Sequence, residues 1–237
     1  SIIMKILCTI CARKGSKGLK NKNLLKIHNK TLIQHTYEIA KKTRLFHKII
    51  ITTDYKNILA KYKFFDLSIQ RPKKFANDKS SKIDAIKHAL IVSEDKFNCK
   101  FDYVVDLDVT APLRLKIDII KAFDKIRKNK FATNLVSGCS SRKNPFFNQV
   151  EFNNNVLKLV KTPRKKIVRR QDSPRVYDLN ASIYIWRRKY LLNKMKLINK
   201  KTIFFEMPYS RSIDIDSFLD LEINSFIKRK KYHEKNF

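Results

Sequence analysis

Residues 5–23 read KILCTICARKGSKGLKNKN, and how this stretch divides decides the fold. Its first part, Lys5–Ala12, is a short apolar run containing β-branched residues, which predicts a strand buried on both faces. The remainder is polar, and Gly15 and Gly18 supply two of the chain's three glycines within four residues. In a chain this poor in glycine, the pair marks backbone that needs a positive φ or the close approach of a ligand. A buried strand that runs directly into such a loop is the opening of a parallel α/β sheet, with the loop at the strand's carboxyl end.

Outward from this strand, apolar runs alternate with helical periodicity. Thr31–Thr43 spaces its apolar residues three and four apart and ends in lysines, a helix whose basic end suits the dipole. His47–Thr53 is the next strand, and Asp54 is placed to cap a helix reaching about Lys63. Asp66–Gln70 is a short strand, Ser80 or Ser81 caps a helix over Ile83–Ser93, and Asp102–Asp108 is a strand. Helix Leu115–Lys128 and strand Phe131–Ser137 follow. Repeated strand–helix units imply right-handed crossovers and an α/β fold: a Rossmann-like, doubly wound, mostly parallel sheet. Ligands in such folds sit at the carboxyl ends of the strands, which directs attention to residues 13–23, 71–81 and 108–114.

The pattern changes near Asn144. Phe147–Phe152 and Val156–Lys161 flank Asn153-Asn154-Asn155, a hairpin signal, and a basic stretch follows over 161–178. Alternation returns at Ser182–Trp186 and Thr202–Met207, and a last helix spans Ser217 to about Lys230. Residues 1–143 with 182–237 therefore read as one α/β domain, and 144–181 as an extension from it.

Composition bounds the function. The 237 residues include 53 Lys and Arg against 21 Asp and Glu, a net charge of +32. Such a balance suggests a phosphate-rich partner such as nucleic acid. The basic residues are spread along the whole chain, however, and the densest run, Lys161–Arg170, has no interleaved aromatics for base stacking. The excess therefore reads as a lysine-rich surface, and nucleic acid is not expected as a partner. Cys8 and Cys11 form a C-x-x-C inside an apolar run with no second pair to complete a zinc site, so buried reduced thiols are expected. No window reaches 18 apolar residues without a charge, and residues 1–3 show no cleavable signal pattern. A cytoplasmic protein without a membrane segment is expected.

Four blocks carry chemistry. Loop 13–23 surrounds its glycines with Arg13, Lys17 and Lys22, a cradle for a polyphosphate, although it is not a Walker A loop. In Ser212-Ile213-Asp214-Ile215-Asp216 the two carboxylates alternate with isoleucines, and on a strand end they would point the same way. A hard divalent cation such as Mg²⁺ accepts such a pair together with phosphate oxygens. Asp106 and Asp108 share a face at a strand end and suit metal binding or recognition of a sugar hydroxyl. Arg169 and Arg170, followed by Gln171, suit bidentate capture of a carboxylate or phosphate.

With these blocks the sequence resembles the acylneuraminate cytidylyltransferase family, the CMP-sialic acid synthetases, from about residue 4 to residue 225. Residues 12–23 carry the family pattern A-R-x-x-S-K-G-x-x-x-K-N. Arg71-Pro72 with Asp78-x-Ser80-Ser81, Thr110–Arg114, Arg170-Gln171, Asn180-x-Ser182-Ile183-Tyr184 and Ile213–Asp216 match further blocks. The resemblance implies transfer of CMP from CTP to the anomeric hydroxyl of a nine-carbon 2-keto acid, with pyrophosphate released. It also implies a homodimer in which a projecting β-hairpin reaches the neighbouring active site. Carried over, Arg13, Ser16, Lys22, Asn23, Arg71 and Ser80 match nucleotide-binding positions, with Gly15 in the same loop. Lys17 matches the phosphate-contacting, catalytic lysine, and Asp214 and Asp216 match the Mg²⁺ ligands. Arg170 matches an arginine that acts in the partner's active site and near the sugar. Sialic acid enzymes commonly have Gln in a Q-x-T-S-P block where this chain has Asp108-Val109-Thr110-Ala111-Pro112, which places Asp108 near the sugar. The first block, Thr110–Arg114 and Asn180–Tyr184 look most like the legionaminic acid branch, with N-acetylneuraminate as the nearest competing substrate.

Overall fold

The computed structural model describes residues 4–15, 19–75, 81–163, 167–193 and 196–235. Its strands and helices, in chain order, begin with β1 (Ile6–Ala12), the two-residue strands β2 (Lys26–Ile27) and β3 (Lys30–Thr31), and α1 (Leu32–Thr43). Next come β4 (Lys48–Thr53), α2 (Lys56–Lys61), β5 (Leu67–Gln70), α3 (Lys82–Lys96), β6 (Tyr103–Leu107) and α4 (Lys116–Lys128). The chain continues through β7 (Asn134–Ser140), β8 (Val150–Asn153), β9 (Val156–Leu159) and β10 (Tyr177–Arg187). It ends with α5 (Arg188–Leu192), β11 (Thr202–Glu206) and α6 (Phe218–Arg229).

Seven strands form the main sheet in the order β11-β7-β10-β6-β1-β4-β5. β1 is an interior strand, parallel to both β4 and β6; β10 alone runs antiparallel to its neighbours β6 and β7. The alternation within β1 shows why the sheet is covered on both sides. Ile6, Cys8 and Ile10 join one buried cluster with Leu32 and Ile33 of α1 and Ile119 and Phe123 of α4. Leu7 points the other way, into a second cluster with Ile86 and Leu90 of α3 and Trp186 of β10. A strand whose residues are apolar but for the buried Thr9 has no solvent face, so helices must pack on both. The C-x-x-C follows the same rule: Cys8 lies in the first cluster, Cys11 packs against the second, and all four cysteines are free.

Local chemistry sets the boundaries. Thr31 caps α1 through a capping box with Gln34, Ser81 caps α3, and Ser217 caps α6 through a capping box with Asp220. Asp54 does not cap α2, as the sequence suggested. Its carboxylate instead accepts the Lys14 amide at 2.7 Å, and α2 starts at Lys56 without a side-chain cap. β7 starts three residues later than expected, because the Asn129 side chain holds the Phe131 and Ala132 amides in a turn. Gly138 in β7 is a packing glycine: a Cβ there would meet the Asp178 carbonyl and the Phe204 ring.

β8 and β9 form a separate antiparallel hairpin, turned through Asn154 and Asn155 at φ 51° and 60°. The main sheet retains residues 177–181, which the sequence assigned to the extension, because β10 pairs with β7 from Tyr177 onward. No helix among the described residues is long and apolar enough to cross a membrane.

Candidate active site

The loop after β1 is tied at both ends. The Asn23 side-chain amide donates to the Arg13 carbonyl at 2.9 Å, and the Lys14 amide is held by Asp54 beyond β4. Asn21 turns the chain at φ 56°, and Lys22 opens a single 3-10 turn. Asn23 is buried, so its part is to close the loop, while the Lys22 ammonium reaches Asp216 at 2.6 Å. Gly15 does not take the left-handed conformation that the sequence allowed for it. Its φ is not positive, and a Cβ there would meet nothing within 4 Å, so only the close-approach reading of this glycine remains. Ser16, Lys17, Gly18 and Ser80 lie outside the described residues.

Arg71 follows β5 and is buried. Its guanidinium donates to the Thr52 carbonyl at 3.2 Å, and its buried Nε has no hydrogen-bond partner among the described residues. An anchored guanidinium with an unused buried donor is equipped to meet an acceptor from outside the chain.

The acidic segment is not a strand. Residues 212–216 run as an irregular extended stretch, but the expected alternation survives. Ile215 is buried and Ile213 half-buried, while Asp214 and Asp216 are exposed; Ser212, at the head of the stretch, is buried as well. Two bonds hold the stretch in place. The Ile215 amide donates to the Thr110 carbonyl at 2.9 Å, and the Asn180 side-chain amide donates to Ser212 Oγ at 2.9 Å. Asn180 itself sits in an irregularity of β10 where Ala181 takes φ 51°, and its Oδ1 accepts from Ser137 Oγ and the Ser182 amide. This explains the Asn180–Tyr184 block as a device that bends β10 and fixes the acidic stretch beside it. Partial desolvation pushes the Asp214 carboxyl above its ordinary range, and the like charge of Asp216 pushes it further. Two exposed carboxylates that repel each other, with Lys22 as a nearby cation, fit a divalent metal. Asp214 and Asp216 are the residues that would hold it.

The carboxylates at the end of β6 have a different partner. The Lys82 ammonium, at the first turn of α3, lies 2.8 Å from Asp106 Oδ2 and 2.7 Å from Asp108 Oδ2. Thr9 Oγ1 donates to Asp106 Oδ1 at 2.8 Å. Asp108 Oδ1 accepts from the Thr110 amide and hydroxyl at 2.8 and 2.7 Å. A cation therefore already occupies the position between these carboxylates, so metal binding by this second pair is not supported. Burial would depress the Lys82 pKa, but Asp106 and then Asp108 hold it well above the ordinary lysine value. Burial would likewise raise Asp108, but Lys82 and Thr110 hold it below the usual carboxylate range. The Asp108 contribution is thus present above the ordinary Asp pKa and lost only on strong acidification. That of Lys82 is lost only in strong base, and the pair is intact across the neutral range. Sequence reading missed Lys82 entirely.

Arg114, from the Thr110–Arg114 block, is buried and donates to the Asp108 and Ser182 carbonyls and to Ser182 Oγ. It fixes the turn that carries Asp108 against β10. Arg170 is exposed in a 3-10 turn and donates to the Ser141 carbonyl at 2.9 Å, at the base of the extension. The structure thus brings Lys22 and Asp216 together, with Asp214 beside Asp216 and Asp108 near by, and holds Arg170 on the extension.

The model of the cytidylyltransferase family matches residues 7–236. A Campylobacter jejuni protein described as CMP-N,N'-diacetyllegionaminic acid synthase is 41% identical over 236 residues, 98% of this chain and 99% of that protein. A Campylobacter coli protein described as post-translational flagellin modification protein B is 42% identical over 236 residues, with the same coverage of both chains. Among solved structures, a CMP-2-keto-3-deoxy-manno-octonic acid synthetase complexed with CTP shares the fold at a TM-score of 0.70. It is 20% identical, and the match covers 96% of this chain and 99% of that one.

Proposed function

Because this chain belongs to the cytidylyltransferase family and is a nucleotidyltransferase, we propose that it transfers CMP from CTP to the anomeric hydroxyl of a nonulosonic acid, legionaminic acid foremost, in a cytoplasmic homodimer. The near full-length likeness to a CMP-N,N'-diacetyllegionaminic acid synthase carries this reading.

The residues supply the needed chemistry. CTP brings about four negative charges, which the loop after β1 meets with backbone N–H groups and with Arg13, Lys17 and Lys22. Asn23 holds that loop shut, Gly15 leaves room for close approach, and Ser16, Arg71 and Ser80 complete the nucleotide contacts. The anomeric oxygen attacks the α-phosphorus, and the bond to the β-phosphate breaks to release pyrophosphate. Asp214 and Asp216 would hold Mg²⁺, which would supply neutralisation of phosphate charge. Asp108 lies on the sugar side. Arg170 contributes from the partner subunit, where its planar donors suit the sugar carboxylate.

The hairpin supports the dimer. Val150, Phe152 and Leu157 share one of its faces and are 54%, 77% and 56% exposed. A two-stranded hairpin is marginal alone, and an uncovered apolar face on it calls for a partner surface. Phe152→Asp is expected to shift the protein from dimer to monomer in sedimentation equilibrium; a wild-type monomer would contradict the shared site. The substrate is tested by pyrophosphate release from CTP and Mg²⁺ with a panel of nonulosonic acids. Legionaminic acids are expected to outrun N-acetylneuraminate, and the reverse order would move the protein to the sialic acid branch.

A further inference from the structure

Lys82 lies in the candidate site, yet neither the polyphosphate cradle nor the acidic pair uses it. It is the first residue of α3, where a cation opposes the helix dipole, so its position needs another justification. The two carboxylates at the end of β6 provide one, and the count of their hydrogen-bonding groups shows what remains. An ammonium has three N–H donors; Asp108 takes one in a hydrogen bond, and Asp106 Oδ2, an ion-pair contact at 2.8 Å, can engage at most one more. Asp108 Oδ1 is filled by the two Thr110 bonds, while among the described residues Oδ2 receives only Lys82 and keeps one lone pair. The side chains of Lys82 and Asp108 are 31% and 21% exposed, whereas that of Asp106 is fully buried. One donor and one acceptor, 2.7 Å apart, thus remain at the carboxyl end of β6.

Charge and position restrict what they can bind. With the Arg114 guanidinium held against the Asp108 carbonyl, the two carboxylates and the Lys82 ammonium form a cluster of no net charge, which gives it no pull on either the triphosphate or the sugar's own carboxylate. Along the sheet, β1 and β4 lie between this cluster, at the end of β6, and Arg71, which follows β5. A nucleotide held by Arg71 and the β1 loop leaves the β6 side to the acceptor. A neutral sugar hydroxyl accepts and donates through one oxygen, and so matches the remaining pair.

We propose that Lys82, paired with Asp108, is a specificity-determining residue that binds one hydroxyl group of the acceptor sugar. This rests on the nonulosonic acid reading above. Lys82→Met is expected to raise the KM for the sugar about tenfold or more while the KM for CTP stays within about threefold. Lys82→Arg keeps the charge that Asp106 and Asp108 need but displaces the donor, so it should fold and show the same one-sided rise. Calorimetry on the wild-type protein with monodeoxy sugars gives a third measure: one deoxy position should weaken binding about tenfold. For that analogue, Lys82→Arg should cost nothing further.

Folded variants with an unchanged sugar KM, or a change confined to CTP, would overturn the proposal. So would a deoxy series in which no single hydroxyl matters. Wild-type protein that releases pyrophosphate with no nonulosonic acid would instead overturn the underlying reading, and this inference with it.

Discussion

Asp214→Asn is expected to lower CMP transfer by about a thousandfold or more while the fold and its thermal stability are kept. Asp214 is exposed and lies on an irregular stretch, so the amide removes little packing. What it removes is charge. In the free protein, partial desolvation and the neighbouring Asp216 push the Asp214 carboxyl upward, so the pair carries repulsion that a divalent cation relieves. The amide leaves Asp216 as a single carboxylate, already paired with Lys22 at 2.6 Å. Magnesium titration followed by calorimetry with CTP present should show the loss directly. A variant that retains substantial transfer would remove Asp214 from the metal site.

Asp118→Ala should cost about 3–5 kcal/mol of stability, the range for a buried charge that loses its partner. Asp118 in α4 meets Arg211 at two points, both 2.9 Å, and both side chains are buried. The same carboxylate accepts the Leu115 amide and so caps its own helix. Arg211 also donates to the His233 carbonyl, which ties the C-terminal turn to the body of the protein. Removal of Asp118 leaves the guanidinium buried without this counter-charge and frays the start of α4. Because Arg211 directly precedes the acidic stretch, the variant should also lose activity before it unfolds. Urea denaturation measures the first effect, and a loss below about 1 kcal/mol would show that Arg211 finds compensation elsewhere.

The parts of this molecule that were legible in the sequence are those set by near neighbours. β1 announces itself by an apolar run that only Thr9 interrupts, Thr31 and Ser217 by cap chemistry, and the hairpin by its asparagines. The loop cations and Asp214 with Asp216 stand together in short blocks. What was not legible depends on distant partners. Asp54 looks like a cap until the Lys14 amide competes for it. Lys82 is one of 53 basic residues, and it meets Asp108 across 26 positions of sequence, so nothing local distinguishes it. Asp108 could be placed near a sugar, but the occupation of its Oδ1 by Thr110 and its grip on Lys82 are properties of the fold. The five-residue helix α5 lies in a charged stretch too short to show a period. The left-handed Ala181 is equally silent, because alanine gives no hint of a positive φ.

The central claim is transfer of CMP to a nonulosonic acid, and the product of one reaction tests it most directly. Purified protein is incubated with CTP, Mg²⁺ and N,N'-diacetyllegionaminic acid and followed by phosphorus NMR and mass spectrometry. The expected result is a CMP-sugar phosphodiester formed in equal amount to pyrophosphate, and its disappearance when the sugar is withheld. Intact CTP, or CTP hydrolysed to CMP and pyrophosphate without a sugar conjugate across the whole panel of nonulosonic acids, would contradict the account.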